Sequence, residues 1–236
     1  WCSNPNMKPI LIFCHNYVHH NWYEIIEEQL HKLVNSGLYE SATEIYYGAY
    51  APHQFQLYKF IDLVKSFDSE SKIKIVIHPK NDGERQTMIL LQEVCKNYPD
   101  AYTLYYHTKG ITSLQNHNGG VKYKNIESWR HILEYFNIEL WGECIKTLQN
   151  PNVDVCGALY VENGELYNFY YAGNFWWGKT SYLNTLPSMK ERDNRMGCEL
   201  WIGNNMHNWV NFQSPQEGNI YHSYFEPKTY RKDLDT

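Results

Sequence analysis

Three polar residues and a glycine end an apolar, aromatic stretch at residues 100–110 (DAYTLYYHTKG). The stretch is typical of a buried strand, which places His107, Thr108 and Lys109 at its carboxyl end, where open α/β sheets bind ligands. A lysine can stabilise a developing phosphate oxyanion, and a histidine can donate a hydrogen bond or add charge. Gly110 lets the backbone approach a ligand closely. The pattern predicts an anion site with Lys109 and His107 as catalytic residues.

A second distinctive stretch is AGNFWWG at residues 172–178. Adjacent side chains of a strand point to opposite faces, so we expect one of Trp176 and Trp177 in the core and the other facing a cleft. An exposed indole suits the apolar face of a sugar, and the Asn174 amide both donates and accepts hydrogen bonds. These three residues are predicted to bind an acceptor sugar. A core strand with one polar residue is the alternative.

Glu199 is the candidate general base, in the stretch ERDNRMGCELWIG (residues 191–203). Transfer to a hydroxyl needs a carboxylate that takes the proton from the attacking oxygen. Asp193 is the second candidate, and Arg195 is assigned to the acceptor. An ordinary glutamate at a helix end is the competing interpretation.

Two further stretches are predicted to bind a nucleotide donor. His15, Asn16 and Tyr17 follow the first strand, and Tyr17 is a candidate for stacking on the base. The loop HPKNDGERQT (residues 78–87) offers Asp82 to base or ribose and Arg85 to phosphate, although an NDG turn with helix capping explains the same residues.

A polar loop at residues 111–124 is predicted to close over the donor as a lid. Arg130 follows it on a helix and is assigned to the diphosphate as a second cation. A salt bridge from Arg130 to Glu127 or Glu134 is the alternative.

Metal chemistry has little support in the sequence. His15 and His19 are four residues apart, the spacing of one helix face, and His20 adjoins, but no third ligand is evident. The six cysteines form no CxxC pair and are interpreted as buried thiols in a reducing compartment. A metal-dependent hydrolase using His15 and His19 is kept as a third hypothesis.

The apolar pattern alternates strands with helices. Strands are expected at 8–15, 41–47, 72–78, 102–107, 153–160 and 167–177, and helices at 21–37, 55–67, 87–97 and 126–148. This alternation predicts an α/β fold with a mostly parallel sheet flanked by helices in a single domain. Residues 206–236 are expected to be irregular.

Composition narrows the class of partner. The net charge of −5 argues against nucleic acid, and no apolar run reaches the 18 residues of a membrane span. Aromatic residues make up 16% of the 236-residue chain, which favours sugar or base binding as well as a large core.

The order of these motifs resembles nucleotide-sugar-dependent glycosyltransferases of the GT-A (Rossmann-like) fold. HTKG, then GNFWW, then ExWI at Glu199 is similar to a group of bacterial and viral polysaccharide glycosyltransferases. The family's metal-binding Asp-x-Asp position is occupied here by His107-Thr108-Lys109. The resemblance therefore implies a metal-independent enzyme, with Mn²⁺ or Mg²⁺ as the alternative.

The resemblance implies a division of labour along the chain: residues 8–110 bind the nucleotide sugar and residues 111–205 carry the acceptor and catalytic half. The implied reaction is inverting transfer of a sugar to a glycan hydroxyl, in the cytoplasm or at a membrane through a part outside this chain. The alternative is a non-catalytic carbohydrate- or nucleotide-binding module.

Overall fold

A seven-stranded sheet forms the centre of the computed structural model, which describes residues 8–111, 120–163, 168–191, 195–205, 207–214 and 220–232. Its strand order is β3-β2-β1-β4-β8-β5-β9. The first four strands in that order are parallel, β8 is antiparallel to both neighbours, and β9 is parallel to β5. The predicted α/β, Rossmann-like, mostly parallel sheet in a single domain is confirmed. The strands are Ile10–Tyr17 (β1), Glu44–Tyr50 (β2), Ile73–Ile77 (β3), Tyr102–His107 (β4), Val155–Gly157 (β5), Tyr160–Asn163 (β6), Asn168–Tyr171 (β7), Trp176–Lys179 (β8) and Trp209–Asn211 (β9).

Helices cover both faces of the sheet and bury their apolar stripes in two clusters, one on each side. The stretch predicted as one helix at 126–148 is divided into three parts: the end of helix Val121–Glu134 (α5), a π-helical turn at Tyr135–Glu139, and helix Trp141–Leu148 (α6). Leu140 separates the π-helical turn from α6. No helix in the described ranges is long and apolar enough to cross a membrane. The α-helices are Trp22–Asn35 (α1), Leu38–Ser41 (α2), Gln54–Phe67 (α3), Arg85–Cys95 (α4), Val121–Glu134 (α5), Trp141–Leu148 (α6), Thr180–Leu183 (α7) and Arg195–Leu200 (α8).

Strands β1 and β4 lie side by side at the centre and are buried on both faces, as continuous apolar runs in parallel sheets are. Their register pairs His15 with His107. On one side of this pair the sheet continues through β2 and β3, and on the other side through β8. The strand order therefore reverses between β1 and β4, where open α/β sheets hold their ligands.

Several segments differ from the predicted elements. The strand predicted at 41–47 is β2 at Glu44–Tyr50, and α5 begins at Val121, inside the loop predicted at 111–124. Residues 167–177 do not form one strand: a turn with left-handed φ at Gly173 (+95°) and Asn174 (+57°) separates β7 from β8. Residues 153–160 are likewise divided, and β6 pairs with β7 in a separate hairpin. The segment expected to be irregular contributes β9 to the edge of the sheet.

Candidate active site

The carboxyl ends of β1 and β4 are tied together by Thr108. Its backbone N–H donates to the His15 carbonyl over 3.1 Å, and its hydroxyl accepts the Tyr17 N–H over 3.2 Å. Thr108 is buried. It therefore fixes the relative position of the two strand ends, and its contacts are with the strands themselves.

Lys109 follows the carboxyl end of β4, at the point of the sheet where the topology predicts a ligand crevice. Lys109 is only 5% exposed, and its Nζ lies 3.5 Å from the centre of the Trp129 ring. A cation over an indole face is a favourable contact. The Trp129 indole N–H donates to the Ala172 carbonyl, which holds the ring against the turn before β8.

Gly173 is required where Lys109, Trp129 and the turn meet. A Cβ there would lie 2.6 Å from Leu133 Cδ1, 3.1 Å from Trp129 Nε1 and 3.3 Å from Lys109 Cε. Its φ of +95° is also one that L side chains rarely adopt. The glycine of the GNFWW stretch thus allows α5 and β4 to approach each other.

A buried carboxylate, Glu84, lies just before α4 and faces the same crevice. It accepts hydrogen bonds from the Tyr105 hydroxyl (2.9 Å) and the Asn174 amide (2.6 Å). His107 Nε2 is 3.8 Å from Glu84 Oε1 and donates to the Gly173 carbonyl over 2.9 Å, so Nε2 carries a proton.

The charge of Glu84 follows from these contacts. Burial raises the pKa of its carboxyl, but the nearby His107 and the hydrogen bonds from Asn174 and Tyr105 outweigh burial, so the pKa is lowered overall. Glu84 is therefore ionised at neutral pH. The site combines one buried anion with a buried lysine and a histidine.

His15 is held inside the structure. Its Nδ1 and His78 Nε2 lie 2.9 and 2.8 Å from the Thr87 hydroxyl. Burial lowers the pKa of His15 to about 3 and also lowers that of His78. Both are neutral at pH 7, so His15 supplies no positive charge to a donor. Because His15 lies in β1, the helical spacing with His19 that suggested a metal site is wrong.

Glu199 lies on α8, which packs against β7 and α4. It is partly exposed, and its charge, with that of Tyr221, adds to burial in raising the pKa of Tyr170. The Tyr221 ring contacts Trp129 edge-on, with centroids 5.2 Å apart. Tyr221 thus lies against Trp129, and the charges of Glu199 and Tyr221 both reach Tyr170.

Helix α8 is also close to the start of α4. Burial raises the pKa of the Cys198 thiol to about 12, and among the charges that reach it are those of Glu84, Arg85 and Glu199. The structure thus brings three separately predicted stretches, around Lys109, Arg85 and Glu199, to one region.

The other residues assigned to the nucleotide donor are Tyr17, Gly110, Asp82 and Arg85. Tyr17 is partly exposed and stacks on Tyr50, with ring planes 4° apart. Gly110 has φ +84°. Asp82 accepts from Arg85 (2.8 Å) and Gln86 (3.1 Å), and the hydrogen bond from Gln86, with that from Arg85, lowers its pKa. Their nucleotide contacts stay predictions.

The structure corrects the assignment of Asn16 to the nucleotide donor. Its side chain is fully buried and donates to the carbonyls of Cys14 and Gly48, so it joins β1 to β2. It is not available to a donor.

The acceptor assignment also needs correction. Trp176 and Trp177 do point to opposite faces, but both are fully buried, one in each core cluster. Their indole N–H groups donate to Asn174 Oδ1 and the Asn137 carbonyl. Asn174 is itself fully buried and uses its amide on Glu84 and Trp176. All three are structural here, and none faces a cleft.

Arg130 is buried and pairs with Glu28 (2.9 Å) and Glu134 (3.3 Å), so its assignment to the diphosphate is wrong. Lys32 pairs with both glutamates as well. Within the described ranges, one group brings its potential metal-ligating atoms within 4.8 Å of one another: Glu28, His131 and Glu134. Lys32 and Arg130 already neutralise these carboxylates, which disfavours a metal there.

Some predicted residues lie outside the described residues: Asp193, the side chain of Arg195, and residues 112–119 of the proposed lid.

Sequence reasoning missed Glu84, Tyr105, Trp129 and Tyr170 as contributors to this site. Glu84 lies in the loop at residues 78–87, whose residue types are already explained by turn propensity, so nothing in the sequence indicated a role for it in the site. Trp129 could have been found from its position about two turns into the helix after the polar loop. The role of Glu84 depends on partners 21 and 90 residues away, which the local sequence does not reveal.

Comparison with known proteins gives a family but no chemistry. A family model described as "Domain of unknown function (DUF8361)" matches residues 11–222. No curated protein matches the chain. Among the solved structures that match is one titled "Crystal structure of 4-diphosphocytidyl-2C-methyl-D-erythritol synthase", with 8% identity, a TM-score of 0.45, and coverage of 94% of this chain and 95% of that chain. A likeness of this size carries no argument about activity.

Proposed function

The chain belongs to the family described as domain of unknown function DUF8361, and we propose from its site that it is a glycosyltransferase that uses a nucleotide-diphosphate sugar. The observation that carries the proposal is Lys109, a buried cation on the Trp129 ring at the point where the strand order reverses. A lysine placed there suits the phosphates of a nucleotide donor.

In the proposed reaction, the diphosphate of the donor lies against Lys109 and His107. As the bond between the sugar C1 and the phosphate oxygen breaks, its electron pair goes to that oxygen. Lys109 stabilises the negative charge that develops. His107, held beside Glu84 and the Gly173 carbonyl, supplies a second hydrogen-bond donor next to the diphosphate. Neither contribution requires a divalent metal.

On the other side, an acceptor hydroxyl attacks C1 and Glu199 takes its proton. We propose that the acceptor sugar packs on the partly exposed Tyr170 and the exposed Tyr221, since aromatic faces suit the apolar faces of sugars. These two rings take the place of Trp176 and Trp177, which are buried. Attack opposite the leaving diphosphate makes the transfer inverting.

The test is Lys109→Ala, assayed for release of nucleoside diphosphate from a panel of nucleotide sugars with and without oligosaccharide acceptors. Loss of one electrostatic contact to the leaving group is expected to lower kcat by about 10²–10³-fold. Lys65→Ala, an exposed lysine on α3, is the matched control and keeps wild-type turnover. Unchanged turnover in Lys109→Ala would refute the proposed role. A wild-type protein that binds nucleotide but turns over none of the donors would favour the binding-module alternative.

A further inference from the structure

Three histidines lie close together beyond the ends of β1 and β2. His19 and His20 are in the connection from β1 to α1, and His53 directly precedes α3. The ring centroids of His19 and His20 are 4.0 Å apart, and those of His19 and His53 are 5.7 Å apart. The parallel pairing of β1 with β2, which extends to Tyr17 and Tyr50, brings the two connections together.

Two ring nitrogens of this cluster have no hydrogen-bond partner among the described residues. They are the Nδ1 atoms of His19 and His20, and both are buried. Buried polar atoms in folded proteins are usually bonded, so two unsatisfied imidazole nitrogens in one cluster point to a missing partner.

The chemistry of the three side chains suits a metal, since imidazole nitrogens are common ligands of Zn²⁺. Gln56 of α3 also hydrogen-bonds the His19 side chain.

The spacing of the rings is close to that of a metal site. With metal–nitrogen bonds of about 2.0–2.1 Å in a tetrahedral arrangement, ring centroids are roughly 5 Å apart. The two observed spacings lie on either side of this value. The nitrogens do not yet converge, since the described group that meets the 4.8 Å limit is Glu28, His131 and Glu134. Convergence needs ring rotation, which the exposed position of His53 permits.

We propose that His19, His20 and His53 bind one divalent ion of the Zn²⁺ class, with a fourth position open to water. Three imidazole donors favour Zn²⁺, Ni²⁺ or Cu²⁺ over Mg²⁺ or Mn²⁺, which prefer oxygen ligands. The ion would link the connections after β1 and β2 beside the stacked Tyr17 and Tyr50. The ion would take no part in the proposed transfer step.

The test is titration of the chelator-treated full chain with Zn²⁺ against a chromophoric chelator, with Co²⁺ absorption as a second readout. We expect one Zn²⁺ per chain and the intense visible bands of four-coordinate Co²⁺. His53→Ala and His19→Ala should each weaken binding at least about tenfold. His31→Ala, an exposed histidine of α1, should bind like the wild type.

Two results would overturn the proposal. One is the absence of stoichiometric binding in the wild type. The other is Zn²⁺ binding that persists in both His53→Ala and His19→Ala. If Zn²⁺ binding is then lost in His131→Ala, the ion belongs to the group of Glu28, His131 and Glu134. His53→Gln, with circular dichroism of each variant, separates loss of a ligand from loss of fold.

Discussion

At the end of β4, three consecutive residues make three different kinds of contact. His107 faces the buried Glu84, Thr108 ties β4 to β1, and Lys109 lies on Trp129. The residues that complete the site come from distant parts of the chain, so each depends on the fold for its position. Glu84 is buried, whereas Glu199 is partly exposed, so of these two carboxylates Glu199 is the better candidate for the base.

Glu199→Gln tests the base at the residue scale. Without a carboxylate to accept the hydroxyl proton, kcat for transfer should fall by about 10²–10⁴-fold. Nucleotide binding should be unchanged, because the substitution is on the acceptor side. Steady-state transfer kinetics and a nucleotide titration measure the two effects. Glu143→Gln, an exposed glutamate of α6, is the control, and equal activity of both variants would exclude Glu199 as the base.

At the scale of elements, the site depends on how closely α4 packs against β1 and β2. Gly48 of β2 makes this possible: a Cβ there would lie 2.1 Å from Thr87 Oγ1 and 2.6 Å from His78 Nε2. The absent side chain leaves room for the Thr87 hydroxyl between His15 and His78. Glu84 directly precedes α4, so the packing of this helix also fixes the position of the buried Glu84 carboxylate.

Gly48→Ala should therefore destabilise the protein by about 1–3 kcal/mol, the usual cost of overpacking a core. Gly142→Ala is the matched control. No atom lies within 4 Å of its added Cβ, and alanine favours the helix by up to about 1 kcal/mol. Urea unfolding of both variants measures the difference. Equal stabilities would mean that α4 does not pack against Gly48 as described.

The elements predicted best from the sequence were those defined by the residue pattern of their own short segment. Strand β4 was predicted with its observed bounds, since a continuous apolar run ends in polar residues there. The stretch 167–177 was predicted wrongly as one strand because the aromatic residues on both sides outweighed the turn signal of Gly173-Asn174. The burial of Trp176, Trp177 and Arg130 depends on partners far along the chain, which periodicity does not reveal.

At the scale of the whole molecule, the interior holds neutral histidines and an ionised carboxylate, and both make stability depend on pH. His15 has a folded pKa of about 3 and an ordinary unfolded pKa of about 6.5. Between these values the unfolded chain binds a proton that the folded chain does not, so stability falls as pH decreases. The lowered pKa of Glu84 adds a loss at still lower pH.

The free energy of unfolding should thus decrease from about pH 6.5 downward, by up to about 1.4 kcal/mol per pH unit for each such histidine. His15→Asn should flatten this dependence, whereas His31→Asn should keep it. Urea unfolding at pH 5.0 to 7.5 measures the slope. A wild-type slope that His15→Asn leaves unaltered would contradict a neutral, buried His15.

The most direct test of the central claim is a thermal-shift comparison of wild type and Lys109→Ala with the common nucleoside diphosphates, in EDTA. Each shift is measured relative to nucleotide-free protein in the same buffer. A site based on Lys109 predicts that at least one diphosphate raises the wild-type Tm by about 5–10 °C at a hundredfold excess over Kd, and that Lys109→Ala loses most of this shift. The absence of any shift in the wild type, or an equal shift in both proteins, would contradict the account.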